Sequence, residues 1–380
     1  MKDRVENINY CTHSNLSDLS YGGCINDNKF IISIPSDYNI TKVFPNRNKD
    51  NTLSFLNSLK LILRLIKLSM RSRQTFVIRA TRPGFIPIFF KKLRKHKLVL
   101  NMGCTPFSTI ERNAFYRNPT LNPKYRLLTN ILMKIEFQFE KYLVRKADLI
   151  FVENKQAKKL VEKFGGKSAK IVLAPYYVQD YFLTTRELKY NFKDGEPLIV
   201  GYTGRFHKYD KLAPLIDATK ILKDQGFPII IKLIGDGPTK IEIQNKVRSL
   251  NLKDNVQFLG PQQHEMVSKI IDTEHVLILP MVNNICPSTI PIKMLEGIIK
   301  GKVILTNKAG NILSLFNPYI DLVLEDFSDP KIIAEKIIDI AHNYDKYQEK
   351  ARVLRNRHLK THNHDYFCNQ VVENLRTIKS

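Results

Sequence analysis

Between Pro197 and Thr306 the chain repeatedly alternates a short apolar run with a stretch whose apolar residues recur at helical spacing. Pro197–Tyr202, Ile229–Ile234, Val256–Leu259, Val276–Pro280 and Val303–Thr306 read as strands. Leu212–Leu222, Lys240–Leu250, Glu265–Ile271 and Pro291–Lys300 read as the helices between them. Near-continuous β-branched runs of this length, each separated from the next by a helix, need a parallel sheet covered on both faces. The N-terminal half carries a rougher version of the same pattern. Its candidate strands are Val5–Cys11, Phe30–Ile34, Thr75–Ile78, Leu98–Asn101, Leu149–Val152 and Ile171–Ala174. Its clearest helices are Ser54–Met70 and Leu127–Arg145. Gln179–Glu196 is polar and without period, as a linker would be. A length of 380 residues suits two such domains. The expected class is therefore α/β, with two Rossmann-like parallel-sheet domains facing a central cleft. Ligands of open parallel sheets bind beyond the carboxyl ends of the strands.

Charge is unevenly spread. The net charge of +24 divides into +19 over residues 1–180 and +5 over residues 181–380, and no acidic residue lies between Asn51 and Ile110. Such a bias points to an anionic partner: a nucleic acid, an anionic membrane or a phosphorylated substrate. On the Ser54–Arg73 helix, Lys60, Arg64, Lys67 and Arg71 form one stripe and Leu59, Ile62, Leu63, Ile66 and Met70 another. Together with Lys91, Lys92, Arg94, Lys95 and Lys97, this helix could dock on anionic headgroups, or pack on the core with a solvated basic face. The five cysteines (Cys11, Cys24, Cys104, Cys286, Cys368) are scattered without CxxC spacing, which argues for a reducing compartment and against a zinc site. The N-terminus, MKDRVENINY, lacks the apolar core of a signal peptide, and no apolar run reaches membrane-spanning length. A cytoplasmic location is expected. His207, His264, His358, His362 and His364 lack metal-ligand spacing and are assigned surface roles.

Three loops carry chemistry. Gly204-Arg205 stands between a strand and a helix, where a close backbone, a helix N-terminus and a guanidinium suit a diphosphate, with Lys208 and Lys211 in reach. Gly235-Asp236-Gly237-Pro238 is a second glycine turn, readable also as plain turn chemistry. The stretch from Pro280 to Gly297 leads from a strand through a polar loop into a helix, and puts Glu296 in the second turn of an otherwise apolar helix. A carboxylate there can accept two sugar hydroxyls, and the N–H groups of Thr289–Ile292 can hold a phosphate or sugar.

The ordered set GYTGRF, LIDATKIL, LIGDGP, VQFLG, VLILP and IPIKMLEGIIKGKVIL resembles the nucleotide-sugar half of a GT-B glycosyltransferase of family 4, the glycosyl transferases group 1. The likeness is close from Pro197 to Thr306 and weaker through ADLIFVENKQAKKLVEKFGGKSAKIVLAP upstream. It implies domains at 1–185 (acceptor side) and 186–355 (nucleotide-sugar binding), with a C-terminal helix, 356–380, packing back on the first. It implies Arg205 and Glu296 as the catalytic pair, on the donor diphosphate and the ribose. It implies Gly22, Gly23, Gly204, Lys208, Lys211, Gly235, Gly237, Ser288, Thr289, Ile290, Pro291 and Ile292 around the donor. The activity implied is a retaining, metal-independent, hexosyltransferase-like transfer from a nucleotide diphosphate sugar to a glycan or lipid-linked acceptor. No cofactor is called for, and the context is surface polysaccharide synthesis at the inner membrane face, with no nucleic acid as partner.

Four positions depart from the family pattern. Ser288 replaces the first of two paired glutamates, within a Pro-x-Lys-x-x-Glu variant (Pro291, Lys293, Glu296). Asp210 stands at a lysine, so Lys208 or Lys211 is expected to substitute. Gly103 stands at a histidine. Only Cys24–Asn28 separates Gly22-Gly23 from the next candidate strand, so the first helix is expected to be missing or very short. Competing readings are a GT-B nucleotide-sugar epimerase, a degenerate non-catalytic family member and, from charge alone, a nucleic-acid-binding protein, although no helix-turn-helix, zinc or RNA-binding signature is present.

Overall fold

The computed structural model describes residues 6–12, 22–44, 55–79, 82–102, 123–183, 192–193, 195–207, 211–280, 291–308, 312, 323–324 and 327–378. The chain divides into two compact units: the first holds residues up to Tyr176 together with Asp365–Ser380, and the second most of the residues between. Each is built on one six-stranded, all-parallel sheet.

In the first unit the strands are β1 (Glu6–Cys11), β2 (Tyr38–Val43), β3 (Thr75–Ile78), β4 (Lys97–Met102), β5 (Leu149–Val152) and β6 (Ile171–Leu173), in the order β2-β1-β3-β4-β5-β6. The helices between them are α1 (Gly22–Ser33), α2 (Phe55–Ser69), α3 (Phe85–Arg94), α4 (Pro123–Lys146) and α5 (Lys155–Lys163). The central strands are buried along their whole length, as the uninterrupted apolar runs TFVI and LIFV require.

One expectation fails here. Phe30–Ile34 is not a strand but the end of α1, a 12-residue helix that begins at Gly22-Gly23. The first helix is present, and the two glycines open it instead of forming a loop ahead of it. The run FIISI mimics a strand, but Phe30, Ile31 and Ile34 are buried at helical spacing while Ile32 is 70% exposed. Phe30 packs edge-on against Phe151 of β5 and against Phe367. The second strand is instead Tyr38–Val43, buried at its ends and at least partly exposed between, at the sheet edge.

In the second unit the strands are β7 (Leu198–Thr203), β8 (Ile229–Ile234), β9 (Val256–Gly260), β10 (Val276–Leu279), β11 (Val303–Asn307) and β12 (Val323–Leu324), in the order β12-β11-β10-β7-β8-β9. Its helices are α6 (Leu212–Asp224), α7 (Lys240–Ser249), α8 (His264–Asp272), α9 (Ile292–Ile299), α10 (Pro330–His342), α11 (Tyr344–Leu359) and α12 (His364–Thr377), the last of which runs on into the first unit. Leu212, Leu215, Ile216 and Leu222 of α6 lie in one buried cluster with Leu198, Val200, Ile229 and Ile231 of the sheet. On the opposite face Met294, Leu295, Ile298 and Ile299 of α9 lie with Leu277, Leu279 and Ile304. A glycine inside α9 makes that packing close: a Cβ on Gly297 would stand 2.6 Å from Leu277 Cδ1. The order reverses between β7 and β10: the chain runs outward from β7 through β8 on one side and from β10 through β11 on the other. Loops leaving neighbouring strands toward opposite faces open a crevice at that point.

Candidate functional site

The crevice beside β7 is framed by two loops seated on each other. Phe206 is fully buried beside Tyr202 and Phe258, and its N–H donates to the Asp236 carbonyl at 2.9 Å. The Thr239 N–H donates to the Phe206 carbonyl, and the Gly204 N–H to that of Ile234. The glycines of the Gly235-Asp236-Gly237-Pro238 turn serve this contact. Gly235 has φ +133°, and a Cβ on it would overlap the Gly204 carbonyl oxygen; one on Gly237 would overlap that of Phe206. The Asp236 carboxylate accepts from Lys240 Nζ and from the Gly237 N–H, and both hold it below its ordinary range. Gly235 and Gly237 thus have a packing role, and the loop they seat carries the site residue. That residue is Arg205, exposed between buried Phe206 and Gly204, with its carbonyl accepting from the Tyr202 hydroxyl at 2.9 Å.

Lys293, in the first turn of α9, approaches the same loop. Its Nζ lies 4.8 Å above the Tyr202 ring, and a Cβ on Gly204 would come within 2.8 Å of it. Gly204 therefore leaves room for a lysine ammonium next to the Arg205 backbone. Lys211, the other cation expected here, donates to Ser328 Oγ at 2.9 Å. Lys208, Asp210, Ser288, Thr289, Ile290 and Gly103 lie outside the described residues.

Glu296 follows three residues on along α9. Pro291 precedes the helix in an extended conformation and accepts the Met294 N–H at 3.0 Å; Ile292 is the first helical residue. Glu296 is only 3% exposed, between apolar neighbours on the same turn. Its Oε1 accepts from His264 Nε2 at 2.8 Å, and His264 Nδ1 in turn meets the Tyr181 hydroxyl at 2.6 Å. The surface role expected for His264 is therefore wrong: as the first residue of α8 it faces α9. His358 and His362 are likewise buried, packed ring to ring, with His358 Nδ1 on the Leu354 carbonyl. Histidine spacing in the chain carries no trace of the His264 contacts, because they are made across elements.

Arg205 and Glu296 thus stand after adjacent strands at the point of order reversal, one as an exposed cation on a pinned loop, one as a buried carboxylate in the second turn of α9. Such a pair suits a ligand with an anionic end and a polyhydroxyl end. Among the described residues no three His, Cys, Asp or Glu side chains group as metal ligands, and no helix is long and apolar enough to cross a membrane.

Residues 184–357, which span the second unit's site, match the family described as glycosyl transferases group 1. EpsF of Bacillus subtilis, provisionally assigned as a glycosyltransferase, is 35% identical over 83 residues; that stretch is 22% of this chain and 21% of EpsF. Among solved structures, Anabaena Alr3699/HepE in complex with UDP aligns with a TM-score of 0.69 at 12% identity, over 99% of this chain and 100% of that one. Sucrose-phosphate synthase from Thermosynechococcus elongatus aligns with a TM-score of 0.68 at 14% identity, covering 98% and 99%. The lipopolysaccharide outer core galactosyltransferase WaaB aligns with a TM-score of 0.65 at 12% identity, also covering 98% and 99%. At such identities these likenesses bear on the fold: two parallel-sheet α/β domains that match GT-B glycosyltransferase structures over the whole chain.

Proposed function

From residues 184–357, which belong to the glycosyl transferases group 1 family, we propose that the chain is a retaining glycosyltransferase that moves a sugar from a nucleotide diphosphate donor to a glycan or lipid-linked acceptor. The observation that carries the reading is the pairing of Arg205 and Glu296 after adjacent strands β7 and β10. In this reading Glu296 accepts the ribose hydroxyls and Arg205 holds the donor diphosphate. Lys293 adds a second cation beside Gly204, where Lys208 or Lys211 was expected to act. As the bond to the sugar breaks, negative charge grows on the leaving diphosphate. Fixed cations and the α9 N-terminus stabilise that charge, so the chemistry needs no metal ion. Ser288 to Ile292 would line the sugar end and Gly22-Gly23, now the start of α1, the phosphate side of the first unit. A hexose is the expected sugar, and surface polysaccharide the expected context.

Calorimetry against uridine, guanosine and adenosine diphosphate sugars tests this. One base is expected to bind, with nucleoside diphosphate released once an acceptor is supplied. Binding of none overturns the proposal. In Arg205→Ala the affinity for the free nucleoside diphosphate is expected to fall about tenfold or more, the scale of a lost hydrogen bond to a charged group, with melting unchanged because Arg205 is exposed. Equal affinity in the two proteins would remove Arg205 from the site.

The acceptor half of the proposal rests on the first unit. In α2 the core takes Leu61, Leu65 and Leu68, so the second apolar stripe faces outward: Leu56, Leu59, Ile62, Leu63 and Met70 are all exposed. The basic stripe, Lys60, Arg64, Lys67 and Arg71, is exposed beside it. Helix α3 packs alongside and bares Phe89 (84%) and Leu93 (74%) next to exposed Lys92 and Lys95. Apolar side chains ringed by lysine and arginine match the boundary of an anionic bilayer, where a phosphorylated, lipid-linked acceptor would be met. Co-sedimentation with vesicles of phosphatidylglycerol and phosphatidylcholine is expected to rise with anionic content and to weaken in Phe89→Asp/Leu93→Asp. Binding indifferent to lipid charge counts against the peripheral contact.

A further inference from the structure

We propose that His264, itself oriented by Tyr181, is the positioning residue that aims Glu296 at the donor's ribose; the inference rests on the glycosyltransferase reading above. A carboxylate 3% exposed among Met294, Leu295, Ile298 and Ile299 has lost nearly all of its water. Without a donor such a group takes up a proton or swings away. His264 supplies the donor, at 2.8 Å from Oε1. A carboxylate only accepts, so the imidazole hydrogen is on Nε2, and Nδ1 is left to accept from the Tyr181 O–H at 2.6 Å. Burial and the nearby Glu296 and Glu265 push the Tyr181 phenol up, so it keeps the proton it donates.

The relay is also held at its far end. The Tyr181 carbonyl accepts from Ser268 Oγ at 2.6 Å, one turn along α8 from His264. Phe182, fully buried, lies 5.0 Å from the His264 ring centroid. The single helical turn Asp180–Phe182 is thus fastened to α8 by both of its aromatic side chains and by its backbone. Among the described residues Oε2 of Glu296 makes no hydrogen bond, so the second oxygen, in an orientation set by the first, remains to accept sugar hydroxyls. This is positioning through a supporting hydrogen bond, as with the outer partners that orient metal ligands.

The test measures by calorimetry the affinity for whichever of uridine, guanosine or adenosine diphosphate the wild-type chain binds tightest, and for its 2′,3′-dideoxy counterpart, with a melting curve for every variant. In His264→Ala the ribonucleotide is expected to bind about tenfold more weakly while the dideoxy form changes less than about twofold. His264→Gln, whose amide N–H can occupy the place of Nε2–H, is expected to restore most of the loss. Tyr181→Phe is expected to lose about threefold, again for the ribonucleotide only. Wild-type affinity in His264→Ala, or an equal loss for both nucleotides, overturns the positioning role while Glu296→Ala still weakens the ribonucleotide. If Glu296→Ala leaves ribonucleotide affinity unchanged, the ribose reading of Glu296 falls and this inference with it.

Discussion

Glu296→Ala is expected to lower sugar transfer by about 10²–10³-fold while the protein stays folded. Two ribose hydroxyls bonded to one buried carboxylate contribute on the order of 3–4 kcal/mol together, and each 1.4 kcal/mol is tenfold. The stability cost should be small for three reasons. The change to alanine takes a polar group, and not an apolar one, out of the core. Alanine is the best helix former for the middle of α9. The partner left behind, His264, has a side chain 32% exposed and can turn to water. Glu296→Gln separates charge from shape. Its amide has one oxygen left to accept, and it can keep either the His264 bond or one sugar hydroxyl, so it should fall between wild type and alanine. A loss of activity that tracks a loss of melting temperature would turn Glu296 into a structural residue. Unchanged transfer in a folded Glu296→Ala protein would take it out of the site.

Much of the second unit was legible because its strands are buried on both faces. VLIL and VILT have no alternative to a parallel sheet interior, and the glycines that end LIVGYTG and LIGDG mark where chain meets chain. The misreading in the first unit has the same root. FIISI carries a strand's density of apolar residues, and only packing shows that Ile32 faces outward while Phe30 turns to Phe151. Gly22 and Gly23 deepened the error, since glycine argues against the helix that they begin. Arg205 and Glu296 could be found because each is a charged residue set in an apolar or glycine run, GYTGRF and IPIKMLEG, that follows a strand. His264, Tyr181 and Lys293 could not be assigned roles in that way. Their partners lie 32, 83 and 91 residues away in sequence, and nothing local in QQHEM or VQDYF distinguishes a relay from a surface. The Leu59–Met70 stripe shows a third limit. Helical spacing picked out that one apolar stripe, and the fold instead buries Leu61, Leu65 and Leu68.

The contribution of Glu274 to stability is expected to fall, not rise, as pH increases from 5 to 7. This residue precedes β10 and is fully buried, its carboxyl set into the space over Gly201 of β7. Neither of its side-chain oxygens has a hydrogen-bond partner among the described residues. The one cation buried nearby, Lys302, turns its donors to the Asp272 and Glu274 carbonyls instead. Burial therefore raises the Glu274 carboxyl to about 8, against the pull of Lys302 and Lys232. It lowers the Lys302 ammonium to about 7, with Glu274 and Asp272 opposing. The signs differ between the two. From pH 5 to 7 the folded chain keeps a proton on Glu274 that the unfolded chain has released, so stability declines. Above about 8 the unfolded chain keeps a proton on Lys302 that the folded chain has lost, so stability recovers. The falling limb should amount to about 2–3 kcal/mol over its two pH units. General repulsion works the other way: a chain at +24 loses positive charge as pH rises, which favours the compact state. Burial also holds His362, His358, His275 and His96 below their ordinary range, which likewise raises stability with pH, so the Glu274 contribution is read as the difference between the wild type and Glu274→Gln. Urea unfolding at half-unit steps from pH 5 to 9 should show the wild type losing stability relative to Glu274→Gln between pH 5 and 7. Gly201→Ala would drive a methyl into the Glu274 carboxyl and should destabilise by about 3 kcal/mol or more at any pH, partly relieved in Gly201→Ala/Glu274→Ala. Relief in the double variant together with parallel profiles for the wild type and Glu274→Gln would mean that the contact is real but the carboxyl ionises freely, by way of water reaching the space above Gly201.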